Sequence, residues 1–255
     1  MRVTSKRFPW YDSNWLSHFV EAQHAIRAAC PERLDEFLHA FDVLRTPTSF
    51  RVTKLSRVYD GAIMDQIKDA VLSFKPTDLE VHEIKRFGRF VVHDLPLFHE
   101  LQREVVPLMN KIVNEEVEPS YNFLSIYTKL GVCAVHMDAP SAKWTLDLCI
   151  DQSGPWPIHF SDVQQWPVDY QPGEPWEDTV RHDAAPFTAY TLEPGEAVVF
   201  SGSSQWHYRE PLPLDGREHR CELLFLHFIP KGTRQLVEPS SWSDFFGIPE
   251  LAAIE

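Results

Sequence analysis

The stretch that decides the fold is residues 121–150, YNFLSIYTKLGVCAVHMDAPSAKWTLDLCI. The segments YNFLSIYTKL and VCAVHMD are predicted strands separated at Gly131, and WTLDLCI alternates strictly. In this last segment the apolar residues at 144, 146, 148 and 150 share one face, and the residues at 145, 147 and 149 share the other. A period of two predicts a β-strand with two different faces.

Further strand patterns continue toward the C-terminus. They are WPIHF (156–160), the strand–turn–strand pattern AYTLEPGEAVVFSG (189–202) and the apolar run HRCELLFLHFIP (219–230). Short strands joined by long loops are typical of a β-sandwich or barrel. We therefore predict a mostly β protein with flanking helices, a single domain over 1–255, whose double-stranded β-helix core (jelly roll, cupin-like) covers 119–232.

Residues 1–118 are predicted to be mainly helical support for that core, and residues 233–255 to be a C-terminal tail. Pro107 is expected to kink the last of the N-terminal helices, because proline cannot donate a backbone hydrogen bond. A strand–turn–strand around Gly88 is predicted for 79–94. The predicted helices cover 13–30, 32–44, 61–74 and 96–117.

Residues 152–190 are rich in proline and tryptophan and show little strand pattern. Loops of this length inside a compact domain are usually functional or disordered, so we expect a mobile cover over a pocket. His159 is a candidate lining residue, and His227 is interpreted as a core or sheet-surface residue. The tryptophans expected around the pocket mouth are Trp144, Trp156, Trp166, Trp176 and Trp206.

Composition excludes several classes of protein. The 255 residues carry 24 Lys and Arg against 37 Asp and Glu, a formal net charge of −13. Such a charge disfavours general nucleic-acid binding.

The N-terminus has no apolar run after its basic residues and no stretch approaches membrane-spanning length, so we expect a cytoplasmic protein without a membrane segment. The four cysteines form no CxxC pair, which predicts reduced thiols. The sequence does not indicate an oligomeric state.

Three residues form the candidate chemical centre. His136 and Asp138 are two positions apart on a predicted strand, so their side chains share a face. An imidazole and a carboxylate side by side suit a divalent metal that accepts nitrogen and oxygen ligands. His207 follows 69 positions after Asp138, in the polar loop of PGEAVVFSGSSQWHYREPLP. That distance is long enough to cross a jelly roll and return beside the first strand.

This layout resembles the Fe(II)- and 2-oxoglutarate-dependent oxygenases, closest to their prolyl-hydroxylase-type branch. The family pattern is HxD, a variable gap, a distal His and then a basic residue, and His136, Asp138, His207 and Arg220 follow it in order. Tyr127, nine positions before the first His, matches a further family feature. The resemblance covers roughly residues 120–230. It implies that the two His and the Asp bind Fe(II), and that 2-oxoglutarate and O₂ are cosubstrates.

The cosubstrate anchor has two candidates in the sequence. Arg217 lies ten positions after His207, a common family spacing, whereas Arg220 opens the buried strand and would be better ordered there. We favour Arg220 for the distal carboxylate of 2-oxoglutarate, with Tyr127 donating its hydroxyl. The alternative is that Arg220 pairs with Glu222 on the same strand face and is structural.

The resemblance implies an enzyme that oxidises its substrate through a ferryl species and releases succinate and CO₂. We expect a small metabolite, such as an amino acid or biosynthetic intermediate, and hydroxylation, or a desaturation or cyclisation by the same oxidant. A peptide or protein residue is the alternative within the family. The branch's Gly-Gly-Glu segment is replaced by residues 154–160, GPWPIHF, which disfavours protein prolines. A cupin-type metal enzyme without 2-oxoglutarate is the alternative outside it.

Overall fold

The computed structural model describes residues 13–164 and 187–254. Within those ranges the strands are β1 (Thr53–Leu55), β2 (Arg89–His93), β3 (Val117–Tyr127), β4 (Cys133–His136), β5 (Trp144–Gln152), β6 (Ile158–Val163), β7 (Thr188–Tyr190), β8 (Ala197–Phe200), β9 (Gln205–Arg209) and β10 (Cys221–Pro230). The α-helices described are α1 (Ser13–Ala29), α2 (Leu34–Ala40), α3 (Gly61–Ser73), α4 (Ile84–Phe87), α5 (Pro96–Glu104), α6 (Val106–Val113), α7 (Arg234–Val237) and α8 (Trp242–Phe246).

The strands form two antiparallel sheets that share a core. Among the described residues, the larger sheet has the order β1-β8-β5-β10-β3-β2 and the smaller has the order β4-β9-β6-β7. Side chains from both sheets meet in one apolar cluster, which includes Phe160 of β6, Phe200 of β8 and Leu223 of β10. The predicted jelly-roll core with flanking helices is confirmed.

The alternation of β5 gives the larger sheet two different faces. Trp144, Leu146, Leu148 and Ile150 pack outward against α3, α5 and α6. Thr145 and Asp147 are also fully buried, but on the opposite face. The inner face of β5 therefore contributes polar side chains to the interior of the jelly roll, while the helices cover its apolar outer face.

A second apolar cluster connects the N- and C-terminal helices to the smaller sheet. Trp15 of α1 and Trp242 of α8 meet edge to face, with ring centroids 5.7 Å apart. Met137, which directly follows β4, and Trp206 of β9 belong to the same cluster and are buried. The segment expected to be a tail thus includes α7 and α8, and it buries Trp242, Phe246 and Leu251 in this cluster.

Some predicted elements differ in detail. The helix predicted for 96–117 is divided at Val105 into α5 and α6, because Pro107 has no N–H for a continuous helix. The strand predicted before Gly88 is wrong, since Ile84–Phe87 forms a helical turn. Gly88 ends that turn with φ = 65°, and a Cβ there would overlap the backbone of Leu130. This left-handed position requires glycine.

The predicted cover over 152–190 is only partly described. Residues 165–186, including Trp166 and Trp176, lie outside the described residues. The flanking parts form β6 and β7, which pair antiparallel, with Ile158 opposite Tyr190. None of the helices in the described ranges is long and apolar enough to cross a membrane.

A candidate metal site beside a buried cavity

The structure brings the three sequence-predicted metal residues together. Ligand atoms of His136, Asp138 and His207 all lie within 4.8 Å of one another. The Nε2 atom of His136 is 3.4 Å from one carboxylate oxygen of Asp138, and the Nε2 atom of His207 is 3.7 Å from the other. Two imidazoles and one carboxylate thus converge on one point.

Strand pairing sets this geometry. β4 and β9 pair with His136 directly opposite His207, and their ring centroids are 4.2 Å apart. Asp138 follows β4, and its backbone N–H donates to the carbonyl of Gly202 at 2.8 Å. Met137, between the two ligands in sequence, packs into the apolar cluster that the N- and C-terminal helices form with the smaller sheet. Because side chains alternate along the strand, the two candidate ligands point to one side and Met137 points to the other.

Backbone carbonyls fix the orientation of both imidazoles. The Nδ1 atom of His136 lies 2.8 Å from the carbonyl of Ala134, and that of His207 lies 3.0 Å from the carbonyl of Gln205. A carbonyl only accepts, so Nδ1–H is the donor in each case. Both Nε2 atoms consequently face Asp138, as in metal sites whose ligands are oriented by outer hydrogen bonds.

The electrostatics of the group favour a bound cation. Burial alone would raise the pKa of Asp138, but the imidazoles of His207 and His136 hold it well below the ordinary range. Burial lowers the pKa of His207 to about 4. Burial also opposes charge on His136, yet Cys133 and Asp138 raise its pKa to about 10. Without a metal the site therefore contains an ionised carboxylate, a neutral imidazole and a second imidazole that carries a proton, and a bound cation would take the place of that proton.

This donor set fits a first-row divalent metal. Two imidazole nitrogens and one carboxylate oxygen are the ligands of the 2-His-1-carboxylate iron sites, which leave further positions open for small molecules. All three side chains are largely buried, so few waters compete with them. The residues present would hold Fe(II) without any change of side chain.

A cavity of about 150 Å³ adjoins the three residues. Its wall combines the candidate metal site with buried charges and aromatic rings. The charged residues are Glu83, Arg89 and Arg209, and the rings are those of Phe87, Tyr121, Phe123, Tyr127, Phe200 and Phe225. A small molecule in this cavity would touch the metal site and guanidinium groups at once.

The placement predicted for Arg220 is corrected by the structure. Its side chain is 54% exposed and is paired with Asp151 at 2.5 Å and Glu222 at 2.8 Å. β10 begins at Cys221, which faces the interior, so the residues on either side of it face outward. The structural pairing with Glu222, which was the alternative, is the one found. Arg217 is 83% exposed beside Asp215 and does not line the cavity either.

Two arginines that the sequence did not single out line the cavity instead. Arg209 is two positions after His207 on β9 and so shares its face, a signal that alternation alone provides. Arg89 lies on β2 opposite Tyr127 of β3, a long-range pairing with no local signal. Tyr127, which was predicted, is buried in the cavity wall.

The other predicted pocket residues are divided between wall and core. His227 is buried and lines the cavity, with its Nδ1 atom 3.0 Å from the hydroxyl of Thr145. His159 stacks on Tyr208, with centroids 4.4 Å apart, and does not line the cavity. Trp156 packs edge to face on Tyr127 behind the wall. Trp144 and Trp206 belong to the two helix-facing clusters.

Comparison with known proteins gives matches only among solved structures. No family model and no curated protein matches the chain. HygX from Streptomyces hygroscopicus, solved with nickel, 2-oxoglutarate and hygromycin B bound, aligns with a TM-score of 0.54 at 10% identity, covering 77% of this chain and 87% of that one. AviO1 from Streptomyces viridochromogenes Tue57 aligns with a TM-score of 0.51 at 16% identity, covering 76% and 95%.

A third match carries a family name. An oxidoreductase of the 2OG-Fe(II) oxygenase family from Burkholderia pseudomallei aligns with a TM-score of 0.51 at 11% identity, covering 70% of this chain and 85% of that one. Likeness at such low identity establishes architecture rather than activity. The chain therefore has the jelly-roll fold of the 2-oxoglutarate–Fe(II) oxygenases.

Proposed function

We propose that this protein is an Fe(II)- and 2-oxoglutarate-dependent oxygenase that hydroxylates a small molecule. The observation that carries the proposal is the convergence of His136, Asp138 and His207 beside a cavity inside this fold. Fold alone does not imply activity, whereas a complete donor set at the wall of a cavity supplies the chemistry.

Iron with 2-oxoglutarate and O₂ supplies, when bound, an oxidant for a C–H bond, with succinate and CO₂ as the other products. The chain's residues bind and orient. Asp138 contributes the negative charge, and the two imidazoles contribute Nε2 lone pairs that the carbonyls of Ala134 and Gln205 keep aligned. The apolar walls around Phe200 and Phe225 exclude water from the reacting centre.

The cavity supports a small substrate. Its volume of about 150 Å³ lies below the roughly 300–1,000 Å³ of pockets for drug-sized ligands. It suits the cosubstrate and the reacting part of a small molecule better than a folded protein segment. The HygX structure contains hygromycin B, a small molecule, beside nickel and 2-oxoglutarate in a similar fold.

The test is metal-dependent turnover. Purified protein loaded anaerobically with Fe(II) should convert 2-oxoglutarate to succinate when O₂ is admitted, and a screen of small metabolites should reveal compounds that accelerate it. Asp138→Ala should bind iron weakly and release no succinate. His159→Ala is the matched control, because His159 is outside the cavity, and it should behave as wild type. O₂ uptake that does not require 2-oxoglutarate would refute the proposal and favour a cupin-type enzyme.

A further inference from the structure

One of the two buried arginines that line the cavity has a terminal nitrogen without a hydrogen-bond partner among the described residues. Arg89 is 9% exposed in its side chain and lies on β2 opposite Tyr127 of β3. Its guanidinium packs over the rings of Phe87 and Phe123, with distances of 4.7 and 5.2 Å to the centroids. These contacts hold the planar group in one orientation at the wall of the cavity.

The hydrogen bonds of Arg89 leave donors unused. Nε donates to the carboxylate of Glu83, and Nη1 donates to the hydroxyl oxygen of Tyr127 at 2.8 Å. Nη2 has no hydrogen-bond partner among the described residues. Because the Tyr127 oxygen accepts from Arg89, its own O–H remains available to donate. Burial raises the pKa of Tyr127, which keeps that proton in place.

We propose that Arg89 and Tyr127 together bind the distal carboxylate of 2-oxoglutarate, so that the cosubstrate anchor lies on β2 and β3 rather than on the last strand. The inference rests on the proposed oxygenase function. A guanidinium nitrogen and a neighbouring hydroxyl form a two-point donor set for a carboxylate. Both residues line the same cavity as the candidate metal site, which a dicarboxylate must reach with its other end.

In the second buried arginine both terminal nitrogens are already occupied. Arg209 uses Nη2 on Asp147 at 2.7 Å and Nη1 on the carbonyl of Trp156. Its side chain is 3% exposed and that of Asp147 is 0% exposed. A second carboxylate there would meet the charge of Asp147. Arg209 is therefore committed to an internal ion pair, whereas Glu83 engages Arg89 on the Nε side only.

A binding experiment with nickel-loaded protein tests the anchor without turnover. Calorimetry would compare 2-oxoglutarate with 2-oxopentanoate, which has the same chain without the distal carboxylate. Arg89→Gln should weaken 2-oxoglutarate binding by about 30-fold or more. It should leave 2-oxopentanoate and nickel binding unchanged. Tyr127→Phe should weaken 2-oxoglutarate binding by roughly 5-fold. Arg220→Gln, which removes an exposed arginine with two carboxylate partners, is the matched control and should bind as wild type.

A variant that should bind 2-oxoglutarate more tightly distinguishes an effect on binding from an effect on folding. Glu83→Gln removes the competing charge but keeps an acceptor for Nε, so it should tighten 2-oxoglutarate binding while leaving 2-oxopentanoate binding unchanged. Arg89→Gln/Glu83→Gln leaves no unpaired buried charge and should still bind 2-oxoglutarate weakly. If wild-type protein binds 2-oxoglutarate and Arg89→Gln binds it with equal affinity, the proposed role of Arg89 is wrong but the proposed function stands. Nickel-loaded wild-type protein that does not bind 2-oxoglutarate overturns both the anchor and the proposed function.

Discussion

Gly202 lies against the carboxylate of Asp138 with no room for a side chain. A Cβ at Gly202 would overlap Oδ2 of Asp138 and lie 2.5 Å from the carbonyl oxygen of Ala142. The Gly202 carbonyl also accepts the backbone N–H of Asp138 at 2.8 Å. The loop before β9 thus positions both the backbone and the side chain of a candidate metal ligand.

Gly202→Ala should therefore weaken metal binding. The added methyl group must displace the Asp138 carboxylate or the Ala142 backbone, and groups that orient metal ligands typically affect affinity by about 10- to 100-fold. Titration with Fe(II) or Ni(II) under anaerobic conditions measures the change. Gly154→Ala is the control, because a Cβ there meets no atom within 4 Å. Unchanged metal affinity in Gly202→Ala would show that Gly202 does not position the carboxylate.

The residues of the candidate metal site could be predicted from the sequence, whereas the arginine proposed to bind the cosubstrate could not. His136 and Asp138 share a face by strand alternation, and His207 returns beside them because the jelly roll brings β9 next to β4. Alternation correctly groups Arg220 with Leu224, but β10 is apolar on both faces, so the sequence does not show which face lines the interior.

Arg89 was missed for a different reason. It precedes the predicted core, in a segment whose first half forms α4 rather than a strand. Only the long-range pairing of β2 with β3 places it beside Tyr127. Local periodicity contains no information on such pairings, because the partner strand is 38 positions away in sequence.

The Arg209–Asp147 ion pair should behave as a structural unit. Arg209→Met leaves the buried Asp147 carboxylate without its partner, and breaking such a pair costs about 3–5 kcal/mol. Arg209→Met/Asp147→Leu removes both charges and should recover most of that loss. Urea unfolding of the two variants measures the difference. A double variant as unstable as the single one would contradict this interpretation.

His227 should make metal-free protein sensitive to acid. Burial lowers its pKa to about 4 from an ordinary 6.5, so the unfolded chain binds more protons as pH falls. The contribution to stability is present above about pH 6.5 and is lost between there and pH 4. From pH 7 to 5 this amounts to roughly 2 kcal/mol. Urea unfolding of chelator-treated protein at both values should show a smaller loss in His227→Gln than in wild type. Equal losses would mean that His227 titrates normally.

Met137 should link the stability of the helical cluster to metal binding. It is buried among the aromatic side chains of α1, α2 and α8, directly between His136 and Asp138 in sequence. Met137→Ala creates a cavity, so the free energy of unfolding should fall by about 2–5 kcal/mol. The segment from His136 to Asp138 also loses the packing that holds it in place, so metal affinity should fall as well.

Met109→Ala is the matched control, because Met109 is equally buried but lies in the cluster around α6. It should cost similar stability, measured by urea unfolding, and leave the nickel affinity of the folded protein unchanged. If both variants bind nickel as wild type does, Met137 contributes to packing alone and the two ligands are positioned by strand pairing.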